Sequence, residues 1–202
     1  MEKRGNLSRQ RCALGALVGA LVGMWCAGVL ASDRAGLSAA SDATPWFLGG
    51  FSAVLIVEPE SLGPWRLSAE LWGMEFPEAL VELTPGNRGE GWQRRVDVAL
   101  ALQVDYGLGE DGQGWHVGVG VDGLKSTVGR KTFVERGSFW SVEVIGRVGY
   151  RWFPLEDVGL FINPWAGFGP LLAVEETPQV GGERFKEAPV QGLATIHAGW
   201  RL

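Results

Sequence analysis

From Trp92 to Tyr106 apolar and polar positions alternate. Trp92, Arg94, Val96, Val98, Leu100, Leu102, Val104 and Tyr106 share one parity, and Gln93, Arg95, Asp97, Ala99, Ala101, Gln103 and Asp105 the other. A period of two sends successive side chains to opposite faces of a strand. The spacing therefore predicts a strand with an aliphatic face ended by aromatics and an opposite face that is polar or small. Typical strands have about 5–6 residues. This one, at about 3.3 Å per residue and about 40° tilt, would reach on the order of 38 Å, beyond the roughly 25 Å apolar band of an outer-membrane barrel. The aliphatic face is read as lipid-facing.

Further strands follow the same rule. Trp115, Val117, Val119 and Val121 oppose His116, Gly118, Gly120 and Asp122 within Trp115 to Leu124. Between Phe139 and Phe153, Trp140, Val142, Val144, Gly146, Val148, Tyr150 and Trp152 oppose Ser141, Glu143, Ile145, Arg147, Gly149 and Arg151. In Val158 to Leu172, Leu160, Ile162, Ala166 and Phe168 face lipid, and Pro164 predicts a bulge or kink because it cannot donate to a ladder. The last strand, Pro189 to Leu202, puts Gly192, Ala194, Ile196, Ala198, Trp200 and Leu202 on one face and Gln191, Thr195, His197 and Arg201 on the other. Trp46 to Val57, apolar on both parities, is the first strand. Residues 58–91 offer a strand in RLSAELWGMEF, a helical turn in PEALVEL and a loop in TPGNRGEG.

Loop lengths check this threading. Short turns at 153–157 and 107–113 alternate with long segments at 173–188, 125–137 and 58–91. Bacterial barrels have short periplasmic turns, longer external loops and an even strand number. Six strands are explicit, and a hairpin folded from 58–91 makes eight, the number chosen because side chains can fill its interior. Tyr106, Trp115, Trp152 and Trp200 then fall at periplasmic strand ends, and Trp92, Trp140 and Phe168 at external ends. Such belts are where interfacial aromatics gather.

Residues 1–31 stand apart. Lys3, Arg4, Arg9 and Arg11 precede an apolar run from Cys12 to Ala31, which reads as a cleavable signal peptide, with a retained anchor as the alternative. The Ser/Ala-rich 32–44 reads as a flexible leader and 45–202 as a transmembrane β-barrel. Cys12 and Cys26 both lie in the first segment, so the mature chain has no thiol for a disulfide or metal. The formal charge of −5 provides no basic stripe and argues against nucleic-acid binding.

With its signal-like residues 1–31, its alternating strands from Trp92 onward and its C-terminal ATIHAGWRL, the chain resembles the small outer-membrane β-barrel proteins of Gram-negative bacteria, the OmpA/OmpW-like class. The resemblance implies an all-β, antiparallel up-and-down barrel in the cell outer membrane, with outer-membrane lipid and the barrel-insertion machinery as partners. Members usually end in an aromatic residue, most often Phe, that this machinery recognises. Here the last residue is Leu202, with Trp200 two before it.

The predicted inward faces carry Arg95, Asp97, Asp105, Asp122, Glu143, Arg147, Arg151 and Arg201, four acids and four bases. Buried charges need partners, so the balance predicts ion pairs plugging the lumen. Catalysis would need His116 or His197 beside a nucleophile and a carboxylate such as Glu143 or Asp122. Neither strand supplies a Ser, and no catalytic residue is assigned. Two G-x-G-x-x-G matches, Gly107/Gly109/Gly112 and Gly118/Gly120/Gly123, open no helix and assign no cofactor. No cluster has metal-ligand spacing. The reading is a structural, adhesion-like or ligand-contacting surface protein without catalysis. Its alternatives are passive uptake of a small apolar molecule and a lipid A-modifying enzyme. The architectural rival is a soluble lipocalin-like barrel, with apolar residues inside.

Overall fold

The computed structural model describes residues 35–109 and 112–202, so the expected signal peptide lies outside the described residues. The strands are β1 (Ala35–Asp42), β2 (Phe51–Pro59), β3 (Trp65–Phe76), β4 (Trp92–Gly107), β5 (Gly114–Arg130), β6 (Arg136–Leu155) and β7 (Leu160–Ala173). A small hairpin of β8 (Gln179–Val180) and β9 (Glu183–Arg184) precedes β10 (Val190–Arg201). All but the hairpin join in one closed antiparallel barrel of eight strands, sealed where β1 meets β10. Residues 60–64, 108–109, 112–113 and 156–159 lie at the end where β1 begins and β10 ends, the turn end. Segments 43–50, 77–91, 131–135 and 174–189 lie at the other, the loop end. No helix among the described residues is long and apolar enough to cross a membrane. The crossing is made by strands.

Side-chain direction separates this barrel from a soluble one. Leu55, Leu71, Leu100, Val117, Val119, Val121, Val148 and Ile196 are exposed on the outer wall, whereas Glu70, Asp105, Asp122, Glu143, Arg147 and Arg151 are buried in the lumen. Only an apolar solvent favours that inversion. At the turn end Trp65, Tyr106, Trp115, Tyr150, Trp152 and Trp200 ring the wall, with edge-to-face contacts between Trp65 and Tyr106 at 5.0 Å and between Trp115 and Tyr150 at 5.4 Å. Trp140, Phe51 and Phe168 mark the loop end. Along β6, Trp140 and Trp152 are 152 − 140 = 12 residues apart. That separation spans roughly 30 Å along the barrel axis, enough to bracket an apolar band of about 25 Å. The lipocalin-like rival is excluded by this direction of burial.

Several expectations are corrected. The leader expected at 32–44 supplies β1, AGLSAASD, paired with β2 on one side and β10 on the other. Its small residues carry little strand propensity of their own, and ring closure decides their conformation. The barrel thus begins at Ala35, before residue 45. Trp46 lies in a short helix, α1 (Ala43–Phe47), and the strand expected from Trp46 starts at Phe51. Residues 58–91 add one strand, β3, in place of a hairpin, followed by α2 (Glu78–Val81). The count of eight is met by β1 and β3. The loop expected at 125–137 shrinks to 131–135, because Ser126 and Val128 continue the inward face while Lys125 and Thr127 point out above the apolar band.

Two corrections concern the ladder. β4 holds an extra residue around Asp97 relative to both β3 and β5. The bulge reverses the parity. Leu100, Leu102, Val104 and Tyr106 face outward as expected, but Trp92, Arg94 and Val96 face the lumen, and Arg95 and Asp97 lie outside. Conversely, β7 passes Pro164 with no bulge against β10, where Pro164 pairs with Ile196 in unbroken register. The missing N–H falls on the β6 side, where pairing skips between Gly149–Trp165 and Trp152–Ile162.

Candidate functional site

The lumen is packed in layers. At the loop end Trp92, Val128 and Phe139 meet Val81 from the 77–91 segment and Val180 and Phe185 from the 174–189 segment. Trp92 and Phe185 touch edge to face at 5.3 Å. Asn87 joins the two loops: its side-chain amide donates to the Lys186 carbonyl at 2.7 Å and accepts from the Lys186 N–H at 3.0 Å. Gly181 and Gly182, at φ 61° and 85°, turn the β8–β9 hairpin that delivers Val180. Two successive left-handed positions favour glycine at both. Below this lid sits an aliphatic layer of Trp72, Met74, Val96, Ala99, Leu124 and Leu171.

Arg94 lies at the lid's edge, with Nη2 3.4 Å from Glu187 and its guanidinium over the Phe76 ring at 4.9 Å. Burial raises the Glu187 carboxyl above the ordinary range, and Arg94 opposes that shift. Next comes a carboxylate-rich level. Asp42, Glu70, Asp122 and Glu143 are all buried, and Asp122 Oδ1 and Glu143 Oε1 have no hydrogen-bond partner among the described residues. A cavity of about 10 Å³ lies between Asp42, Glu70, Trp72, Gln103, Asp122 and Trp165. That is room for about one water molecule.

Toward the turn end arginines dominate. Arg147 forks onto Asp105, with Nε to Oδ1 at 2.8 Å and Nη2 to Oδ2 at 2.5 Å, and also donates to Gln103 Oε1. Its guanidinium lies 5.1 Å from the centre of the Trp165 ring. His116 sits beside this pair, Nδ1 at 3.6 Å from Asp105 and Nε2 at 2.9 Å from Asn163 Oδ1. Lower still, Arg151 donates to Glu58 at 2.5 Å and to Ser38 Oγ at 3.0 Å, sandwiched between Phe153 and Phe161. Arg201 reaches Glu58 at 3.6 Å, and Arg66 is buried nearby. An open vestibule of about 600 Å³ at this end is lined by Glu58, Trp65, Arg66 and Arg201 among others.

Of the eight charges expected inside, Asp105, Asp122, Glu143, Arg147 and Arg151 are buried in the lumen, and Arg201 lies half-exposed at its mouth. Arg95 and Asp97 are outside, as the bulge requires: Arg95 lies 3.8 Å from Glu75 and 3.9 Å from Asp97, which accepts from Thr127 at 2.7 Å. Absent from the expected set are Asp42, Glu58, Arg66, Glu70, Arg94 and Glu187. Glu58, Arg66 and Glu70 lie in the segment whose strand is ambiguous in sequence, and Asp42 in the supposed leader. Unbroken alternation puts Arg94 on the wrong face of β4. His116 and His197 are both buried, and among the described residues no Ser hydroxyl bonds either ring. Asp42, Glu70 and His197 do converge, their ligand atoms within 4.8 Å of one another, although they are scattered over β1, β3 and β10. Sequence spacing has no way to show a cluster that only barrel closure assembles.

No protein-family model matches the chain, and no curated protein sequence matches it. Among solved structures it is similar to the N-terminal β-barrel domain of OprF from Pseudomonas aeruginosa, at 11% identity and TM-score 0.48, covering 83% of this chain and 96% of that one. It is similar to a major outer membrane protein from Thermus thermophilus, at 13% identity and TM-score 0.48, covering 84% and 100%. The third is Neisserial surface protein A (NspA), at 11% identity and TM-score 0.37, covering 83% and 93%. The strand pairing of this chain, rather than these likenesses, carries the fold.

Proposed function

We propose that the protein is an outer-membrane β-barrel that acts as a non-conducting, non-catalytic scaffold for its loop-end surface. The observation that carries this reading is the filled lumen. Packed layers run from the Trp92–Phe185 lid to the Arg151–Glu58 pair, and the cavity among them beside Asp42 and Glu70 holds about 10 Å³, where a water-filled channel would need a far wider barrel. Single-chain barrels with this apolar exterior and these aromatic girdles are the form proteins take in bacterial outer membranes. The same packing speaks against uptake of a small apolar molecule through the lumen. Catalysis on lipid acyl chains gains no support either, since His116 and His197 lie behind the barrel wall. What the scaffold offers outward is the pair of clasped loops 77–91 and 174–189, whose function is contact with an external ligand or neighbour.

Proteoliposomes and lipid analysis test this. Vesicles holding the purified protein should release small apolar and polar solutes no faster than protein-free vesicles, and lipid A incubated with it should keep its mass. Solute release that rises with protein content, or a lipid A mass shift, overturns the reading.

A further inference from the structure

Asp42 and His197 stand directly opposite each other across the β1–β10 seam, which is only five residue pairs long, from Ser38–Arg201 to Asp42–His197. Glu70 reaches the same point from β3. His197 Nε2 lies 3.7 Å from Glu70 Oε2 and 4.0 Å from Asp42 Oδ2, with all three groups buried. We propose that these three side chains bind one divalent transition-metal ion, zinc by preference, and that the ion fastens the barrel seam.

The arrangement around the three atoms is that of a supported ligand set. Each carboxylate spends one oxygen on hydrogen bonds and aims the other at the imidazole. Asp42 Oδ1 accepts from the Thr195 hydroxyl and from Thr44 N–H at 3.0 Å, while Glu70 Oε1 accepts from Ser52 Oγ at 3.1 Å. Such outer hydrogen bonds are what orient ligating carboxylates. The Trp165 indole N–H donates to His197 Nε2 at 2.9 Å, so that nitrogen is the unprotonated acceptor of the ring, and a metal ion would have to displace the indole from its lone pair. Bond lengths of about 2.0–2.2 Å to zinc bring ligand atoms to within roughly 3.0–3.6 Å of each other, so only small movements are required.

A second, independent observation points to a ligand here. The cavity of about 10 Å³ is bounded by Asp42, Glu70 and Asp122, and the buried Oδ1 of Asp122 has no hydrogen-bond partner among the described residues. A water in that cavity would complete the coordination. Two carboxylates with a neutral imidazole cancel a divalent charge, and one nitrogen with oxygen ligands suits zinc better than calcium or magnesium. Because Asp42 and His197 come together only when β1 docks on β10, the ion would be captured as the ring closes. This inference does not rest on the scaffold reading, since a bound ion and a silent lumen are compatible.

The test uses the full-length, tag-free chain refolded in detergent with zinc and then passed over a chelating column. Expected are one retained zinc per chain, a melting temperature lowered by prolonged strong chelation and restored by zinc, and no such response to calcium. Cobalt should give visible d–d bands of a nitrogen/oxygen site without the near-ultraviolet thiolate band that Cys12 or Cys26 would produce. Glu70→Gln should lose the retained zinc, Thr195→Val should weaken binding roughly 10–100-fold by loosening Asp42, and Glu143→Gln should keep it. Wild-type protein with no retained zinc and no cobalt bands, a thiolate band, or equal retention in folded Glu70→Gln each overturns the site. Should Glu70→Gln fail to fold, the cobalt spectrum of the wild type still decides.

Discussion

Toward the turn end of the lumen four arginines, Arg66, Arg147, Arg151 and Arg201, share two carboxylates, Asp105 and Glu58; toward the loop end lie five carboxylates, Asp42, Glu70, Asp122, Glu143 and Glu187, with a single arginine, Arg94, paired to Glu187. The first region meets most of its burial with short ion pairs, one of them forked, and aromatic faces over the guanidinium planes, and leaves over only donors, at Arg66 Nε, Arg151 Nε and His116 Nδ1. The second leaves acceptor atoms without donors and a small cavity among them. A single total of lumen charge would hide this, because acids and bases nearly balance only over the whole barrel. The turn-end half is thus held chiefly by its own pairs, whereas the loop-end half depends on a hydrophobic lid and on the proposed cation.

The largest effect is expected where a pair is broken. Arg147→Met leaves Asp105 buried beside His116 without its fork and should cost about 3–5 kcal/mol in urea unfolding from detergent or bilayer. An unchanged midpoint would mean that this half is not held by its pairs. Charge placed on the outer wall comes next: Leu100→Arg should cost about 2–4 kcal/mol near the bilayer midplane, and a neutral result would place that wall in water. Removing the clasp with Asn87→Ala should cost about 1–3 kcal/mol, since the Lys186 N–H and carbonyl lose their partner. Hydrogen exchange at Lys186 would show whether the loss is local. The smallest change belongs to the carboxylate-rich half, where Glu143→Gln should leave stability within about 1 kcal/mol of wild type. A loss as large as that of Arg147→Met would erase the contrast between the halves.

The period-two strands are legible where one wall faces lipid and the other faces charge, and β6 can be read residue by residue. Three things are not legible. β1 is made of Ala, Ser, Gly, Leu and Asp, and only the neighbouring strands make it a strand. The bulge at Asp97 leaves no trace in the sequence, because Trp92 and Val96 are as apolar in the lumen as they would be in lipid. The meeting of Asp42, Glu70 and His197 depends on register across the ring, which local pattern does not encode. The ion-pair plug follows in kind from the inward charges, but its membership depends on the face assignments and inherits their errors on β4.

Which way β4 points decides both the lipid-facing wall and the make-up of the lumen, and a cysteine scan measures it most directly. Single cysteines at positions 93 to 105, in a background with Cys12 and Cys26 replaced, would carry nitroxide labels in bilayers, and collision with lipid-dissolved oxygen would be recorded. Strong collision is expected at Leu100→Cys, Leu102→Cys and Val104→Cys and weak collision at Ala99→Cys, Ala101→Cys and Gln103→Cys. The phase should reverse at Asp97, so that Arg95→Cys rather than Arg94→Cys points outward. Unbroken alternation through Asp97 would contradict the bulge, and strong collision at Ala101→Cys with none at Leu100→Cys would contradict the lipid-facing wall.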